Sequence, residues 1–211
     1  MDSREKIKQD LAASIRAQTR AVIDWHGAVP DNIDTDAADP AEKLLKLVLA
    51  QHLMNFILWH AEDVARRKDV DASVIADCKY RIDTFNQKRN DAFEIVDEYL
   101  VGRLNRFPPP LSGGRERHNT ESLGMAVDRL SILALKIYHM DEQTKRADVD
   151  EAHRQSSAAK LAALEEQRAD LEQAVYDLID DFCNGVKRPK AYRQYKMYND
   201  PGLNPQLYGK K

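Results

Sequence analysis

The sequence predicts an all-α fold: a helical bundle of about five helices, three of them long, with a C-terminal basic arm. Three observations predict it. The 211 residues hold eight glycines and eight prolines, and none of these falls between Ala41 and Val101 or between Met125 and Asn184. Sheets need turn residues every few positions, so two breaker-free stretches of about 60 residues each are hard to build from strands. Good helix formers dominate both stretches, and 32% of the residues are charged, as suits long solvated helices. The pattern excludes a β-sandwich, a small disulfide scaffold and a Gly-rich phosphate-loop enzyme.

The first helix is expected from about Ser3 to Asp24, followed by a turn-rich stretch with Gly27, Pro30 and Pro40. Pro40 suits a first helical turn and Asp39 a cap, so a second helix runs to about Lys68. Asp69 and Asp71 flank a break, and Asp71 can cap a third helix from Ala72 to Leu104. The Pro/Gly-dense stretch from Arg106 to Thr120 reads as a loop able to cover a site or meet a partner. Asn119 or Thr120 then caps a fourth helix ending near Met140. The fifth covers roughly Val149 to Asn184, and Gly185 stops it. Its residues Leu161, Leu164, Arg168, Leu171, Val175, Leu178 and Phe182 recur at alternating spacings of three and four. That seam suits packing inside the bundle or a homodimer interface.

The 43% hydrophobic content is enough for a sizeable core. We expect a bundle domain over residues 1–186 and a basic, tyrosine-rich arm over 187–211, packed on it. The net charge of −3 gives the whole molecule no global pull toward nucleic acid or membrane. The arm is basic and the body correspondingly acidic. Tyr192, Tyr195, Tyr198 and Tyr208 alternate with its basic residues. Such a segment can stack on nucleic acid or a phosphosugar, but the Asn-Asp-Pro-Gly turn at 199–202 favours folding back onto the acidic helices. Cys78 and Cys183 lie far apart among apolar residues and read as small hydrophobes in a reducing compartment. The charged N-terminus lacks an apolar signal core, and no apolar run approaches the ~20 residues needed to span a bilayer. The expected location is the cytoplasm.

The third helix carries the most informative residues. On a helical wheel Lys79, Asp83, Asn86, Asn90, Glu94 and Asp97 fall within about 80° of one another. Asparagine is a poor helix former, so Asn86 and Asn90 set this stripe apart from an ordinary solvated face. Arg89 projects from the apolar side, where a guanidinium needs a carboxylate or an anionic ligand. On the second helix His52, Asn55, Trp59, Asp63 and Arg66 group together, with Glu62 at the edge and His60 at a flank. An aromatic among such groups suits a pocket wall or burial beneath another helix. On the fourth helix Asp128 and His139 share a face but stand about 16 Å apart along the axis, too far for one small site.

A bundle can hold metals between helices. No histidine follows a glutamate by three on two helices, so a di-iron signature is missing. Magnesium takes one or two carboxylates plus substrate phosphates, and Glu94-x-x-Asp97 with Asp63 could supply them. This is similar to the all-α nucleotide pyrophosphohydrolases, with His60 standing where their first glutamate would be.

The segments NFILWHAEDVARR, RIDTFNQKRNDAFEIVDEYL and RLSILALKIYHM, with the tail YRQYKMYNDPGLNP, resemble a bacterial family known as domain of unknown function 4254. The resemblance runs from about Lys43 to Tyr208. The sequence departs from it at Glu121–Gly124, where the family favours Glu-Thr-Pro-Gly. The resemblance implies an all-helical cytoplasmic protein. Through relatives encoded near glycosyltransferases, it also implies a link to surface-polysaccharide biosynthesis.

Two functions stay open at this level. In the first, helices two, three and four enclose a site for an anionic small molecule, a phosphorylated compound or a nucleotide sugar. Arg66, Arg89 and Arg129 would bind the anion. Glu62, Asp63, Asp91 and Glu94 would supply negative charge or hold metal, with Asn55, Trp59, Asn86, Asn90 and Asp128 beside them. His60 is the proton-transfer candidate, with Glu62 and Asp63 as further catalytic candidates. In the second, the same residues form a buried ion network that fixes helix register in a non-enzymatic adaptor.

Overall fold

The computed structural model describes residues 3–107, 117–195, 197 and 200–209. Among these residues five long helices and one short one follow in order: α1 (Arg4–Gly27), α2 (Pro40–Ala65), α3 (Ala72–Leu104), α4 (Leu123–Thr144), α5 (Glu151–Cys183) and α6 (Pro205–Tyr208). The chain is all-α, with no strand among the described residues. The Pro/Gly-dense loop expected to cover a site falls largely on residues 108–116, which lie outside the described residues.

Local chemistry sets the boundaries. Asp39 accepts from the N–H groups of Ala41 and Glu42, and Pro40 opens α2. Asp71 stands at the N-cap of α3 but makes no side-chain capping bond. Ser122 caps α4 through Met125 N–H, whereas Asn119 donates to the Glu121 carbonyl, so α4 starts later than Asn119 or Thr120 would place it. α2 stops at Ala65, short of Lys68, and α1 continues past Asp24 to Gly27. Gly185 ends α5 in the left-handed region at φ 66°, which a side chain would oppose.

Packing gives each helix a direction. Ile7, Leu11 and Ile15 of α1 share a core with Leu44, Leu47 and Val48 of α2. Further along, Val22 and Trp25 meet Leu53 and Phe56, so α1 and α2 run parallel. Asn55 reaches Asp128 while Trp59 stacks on His139, so α4 runs parallel to them. α3 is antiparallel to α2: Tyr99 donates to the Pro40 carbonyl at 2.9 Å, and Ile82 packs with Leu58 and Ala61. α5 is antiparallel to α1, with Lys8 on Asp180 and Arg168 on the Ile15 carbonyl. The C-terminal ends of α1, α2 and α4 therefore gather at one end of the bundle.

The main core fills with Ile7, Leu11, Leu44, Leu100, Leu130 and Ile179, all fully buried; burial of each contributes about 1.5–3 kcal/mol. Val175 and Phe182 of the α5 seam enter this core, Leu171 and Leu178 pack against it, and Ile179, outside the seam, is fully buried in it. One ion pair crosses the interior: Arg103 on α3 reaches Asp10 on α1 at 2.8 Å, and both side chains are under 5% exposed. By length and composition α2 is apolar enough to cross a membrane. Its buried Gln51, His52 and Asn55 interrupt the apolar run, and α1, α3 and α4 surround it. Cys78 and Cys183 are free thiols.

The arm meets the bundle at α3. Arg193 pairs with Glu94 at 2.9 Å and with Glu98, and Gln194 N–H donates to Glu94 at 2.6 Å. At the start of the arm Lys187 pairs with Asp181 of α5 at 2.8 Å, while Tyr192, Tyr195 and Tyr208 are exposed.

Candidate functional site

A polar layer crosses the bundle between α2 and α4. Asp128 Oδ1 accepts from Gln51 Nε2 at 2.5 Å and from Asn55 Nδ2 at 2.8 Å. Ser131 Oγ accepts from Asn55 at 2.9 Å and lies 2.7 Å from His52 Nδ1. These residues are buried, and buried polar groups need such partners. From α3, Arg89 brings its Nε to 3.9 Å from Asp128. Burial pushes the Asp128 carboxyl above the usual carboxylate range, while Arg89 and the Asn55 amide draw it back.

Outward from this layer lies a cleft of about 370 Å³ between α2, α3 and α4, lined by Asn55, Leu58, Trp59, Glu62, Asp63, Arg66, Asn86, Arg89, Ile132 and Leu135. The cleft thus collects Asn55, Trp59, Glu62, Asp63, Arg66, Asn86 and Arg89 from the residues singled out in the sequence, with Asp128 behind Arg89. Helical spacing explains the grouping, because residues three, four and seven apart share a face. Arg66 pairs with Glu62 at 2.6 Å on the surface, where such a pair holds weakly. Arg89 Nε is buried and makes no hydrogen bond.

Other candidates lie elsewhere. Arg129 turns away from the cleft, pairs with Glu121 at 2.7 Å and lines a separate groove of about 510 Å³ between α4 and α5. Its lining has a single acid, Asp170, and no aromatic residue. Asp91 and Glu94 line a third hollow beside Arg193 and Tyr195 of the arm. Asn90 is buried. Far from forming a solvated face, the C-terminal part of the α3 polar stripe is interior: Glu94 is taken by the arm, and Asp97 Oδ1 accepts from Gly124 N–H at 2.6 Å.

The magnesium set Asp63, Glu94 and Asp97 does not assemble. The α2–α3 register set by Tyr99 against Pro40 and Ile82 against Leu58 puts Glu94 opposite residue 46. Asp63 is then about 25 Å further along α2 at 1.5 Å per residue.

His60 sits beside Trp59 but faces away from the cleft. Its ring centroid is 5.2 Å from that of His26 and 5.8 Å from that of His139. Burial, followed by the neighbouring His26 and His139, lowers its pKa below the ordinary histidine value. Sequence reading had no route to His26, which belongs to no motif and lies on a different helix. Its one signal is shared position, since His26, His60 and His139 all lie near the C-terminal ends of helices that prove parallel.

Residues 45–191 match a protein family described as Protein of unknown function (DUF4254). Neither the comparison with curated proteins nor that with solved structures gives a match.

Proposed function

The chain belongs to the DUF4254 family, and from the geometry of the cleft we propose that it binds a small phosphorylated molecule between α2, α3 and α4. The observation that carries this reading is Arg89. Its nearest carboxylate, Asp128, stands at 3.9 Å and already accepts from Gln51 and Asn55. A guanidinium is a rigid fork of five donors, and this one lines the cleft with 27% of its side chain exposed. A phosphate is the group that such a fork grips in two-pronged fashion. Arg66 at the rim can leave Glu62 to close on the same anion. The indole of Trp59 offers a flat wall to a sugar or base. At about 370 Å³ the cleft is at the small end of ligand sites, so it suits a sugar phosphate whole and a nucleotide sugar in part. That ligand class is also the one surface-polysaccharide biosynthesis handles.

A second reading has its own support. Asp128 joins α2, α3 and α4 through Gln51, Asn55 and Arg89, which is how a register-fixing network in a non-enzymatic adaptor would be built. Thermal melting with inorganic phosphate, sugar phosphates and nucleotide sugars separates the two, on wild type and Arg89→Ala. A site predicts a ligand-dependent rise, about 2.7 kcal/mol at a hundredfold excess over Kd, that the variant loses. No rise with any of these compounds, together with severe destabilisation of Arg89→Ala, leaves the network reading.

A further inference from the structure

Three imidazoles converge where the C-termini of α1, α2 and α4 gather. One ring nitrogen from each of His26, His60 and His139 lies within 4.8 Å of the other two. His26 Nδ1 is 2.6 Å from the Val22 carbonyl. A carbonyl only accepts, so Nδ1 donates and Nε2 keeps its lone pair. His139 Nδ1 is 2.7 Å from Glu142 Oε2, and its Nε2 is buried without a hydrogen-bond partner. Asp63 stands 3.9 Å from His60 Nδ1. On His26 and His139 an outer acceptor fixes one ring nitrogen and leaves the other to present, the hallmark of metal-binding histidines.

The rings are also held in orientation. His26 stacks on Tyr138 with centroids 4.4 Å apart, His139 lies parallel to Trp59, and His60 meets the Phe56 ring at 4.6 Å. The carbonyl ends of three parallel helices carry partial negative charge, which favours a cation.

We propose that His26, His60 and His139 form a binding site for a divalent transition metal of the zinc type. Neutral imidazole suits zinc, nickel, cobalt and copper, whereas magnesium and calcium prefer oxygen. Zinc–nitrogen bonds of about 2.0–2.1 Å in a tetrahedron need nitrogens roughly 3.4 Å apart. Binding therefore draws the three rings together by about 1 Å, a shift within side-chain adjustment. His26 is exposed, so the fourth position opens to solvent, the arrangement of sites that keep a coordination place for water or substrate. Asp63 lines the cleft and faces His60, which puts the metal beside the cleft without depending on any ligand there.

The test uses full-length protein without a histidine tag, stripped with chelator. Zinc binding is followed by calorimetry and cobalt(II) binding by its visible absorption, with magnesium as the control ion. The expected result is one equivalent of zinc per chain, a tetrahedral cobalt spectrum and no magnesium binding. His26→Ala changes an exposed side chain and leaves the fold intact. It weakens zinc by at least about tenfold, the loss that removal of even an outer partner gives. His153→Ala, on an exposed part of α5, leaves binding unchanged. Absence of zinc and cobalt binding by the wild type overturns the proposal, as does binding that survives unchanged in both His26→Ala and His60→Ala.

Discussion

The indole of Trp59 lies parallel to the imidazole of His139, with ring centroids 4.9 Å apart and planes 6° apart. Trp59 also lines the cleft that holds Arg89, so one side chain adjoins both the candidate anion site and the histidine cluster. Trp59→Phe keeps a ring against His139 and retains most of the stability. Trp59→Ala removes the wall of the cleft and the support of the imidazole. We expect a loss of about 1–3 kcal/mol in urea unfolding, below the 3–5 kcal/mol of a fully buried aromatic, because Trp59 is half-buried. Equal stability of Trp59→Ala and wild type would show that the stack holds nothing in place.

Gly124 marks a close approach of α3 and α4. A Cβ built there would stand 2.2 Å from the Phe93 carbonyl oxygen and 2.8 Å from Asp97 Cγ. The first of these is backbone and cannot rotate away, so α4 must shift. Gly124→Ala is expected to destabilise the fold by about 2–3 kcal/mol, in the range of core overpacking, despite alanine's better helix propensity. A urea midpoint at or above the wild-type value would contradict that close approach.

The bundle and its family were legible because both signals are local. Breaker placement marks helices, and caps such as Asp39 mark ends. The start of α4 was misplaced because Asn119, Thr120 and Ser122 are all good caps within four residues, and only Ser122 sits where its hydroxyl reaches Met125 N–H. In the cleft, the grouping on each helix followed from 100° spacing. Which faces meet did not, since helix pairing depends on how the core fills. Asp128 and Arg129 are neighbours in sequence, yet one joins the buried layer and the other turns to the α4–α5 groove. Glu94 looked like a ligand because its partners come from a hundred residues away. His26 was invisible for the same reason.

The arm should matter to stability through Glu94, which is only 6% exposed. Its two oxygens accept from Arg193 and from Gln194 N–H, and a buried carboxylate left without donors is costly. Ending the chain at Lys190 removes both while keeping the Gly185 stop of α5, and the urea midpoint should fall. Arg193→Ala keeps the Gln194 N–H and should fall less. Glu94→Gln placed in the shortened chain should recover part of the loss, because a neutral amide tolerates burial better. If shortening leaves the midpoint unchanged, Glu94 finds its donors elsewhere.

Two buried groups respond to pH in opposite senses. Burial lowers His52 to about 3 from its ordinary 6.5, so the unfolded chain binds the proton more readily. His52 stability is therefore complete above pH 6.5 and drains away as the pH falls toward 3, with about 2 kcal/mol lost by pH 5. Asp97 is raised by burial to about 6 from 3.8, against the pull of Ser122 and of Gly124 N–H. Here the folded chain holds the proton more tightly, so stability is gained as the pH falls from 6 toward 3.8, about 1.4 kcal/mol by pH 5. The two largely offset one another in the wild type. Asp97→Asn removes the gain, keeps an oxygen for Gly124 N–H and relieves a buried charge. It should be more stable than wild type at pH 7.5 and should lose stability more steeply between pH 7 and 5, by about 1.4 kcal/mol. Urea unfolding at pH 7.5, 6 and 5 reads both effects, and parallel curves for the two proteins would mean that Asp97 is ionised throughout.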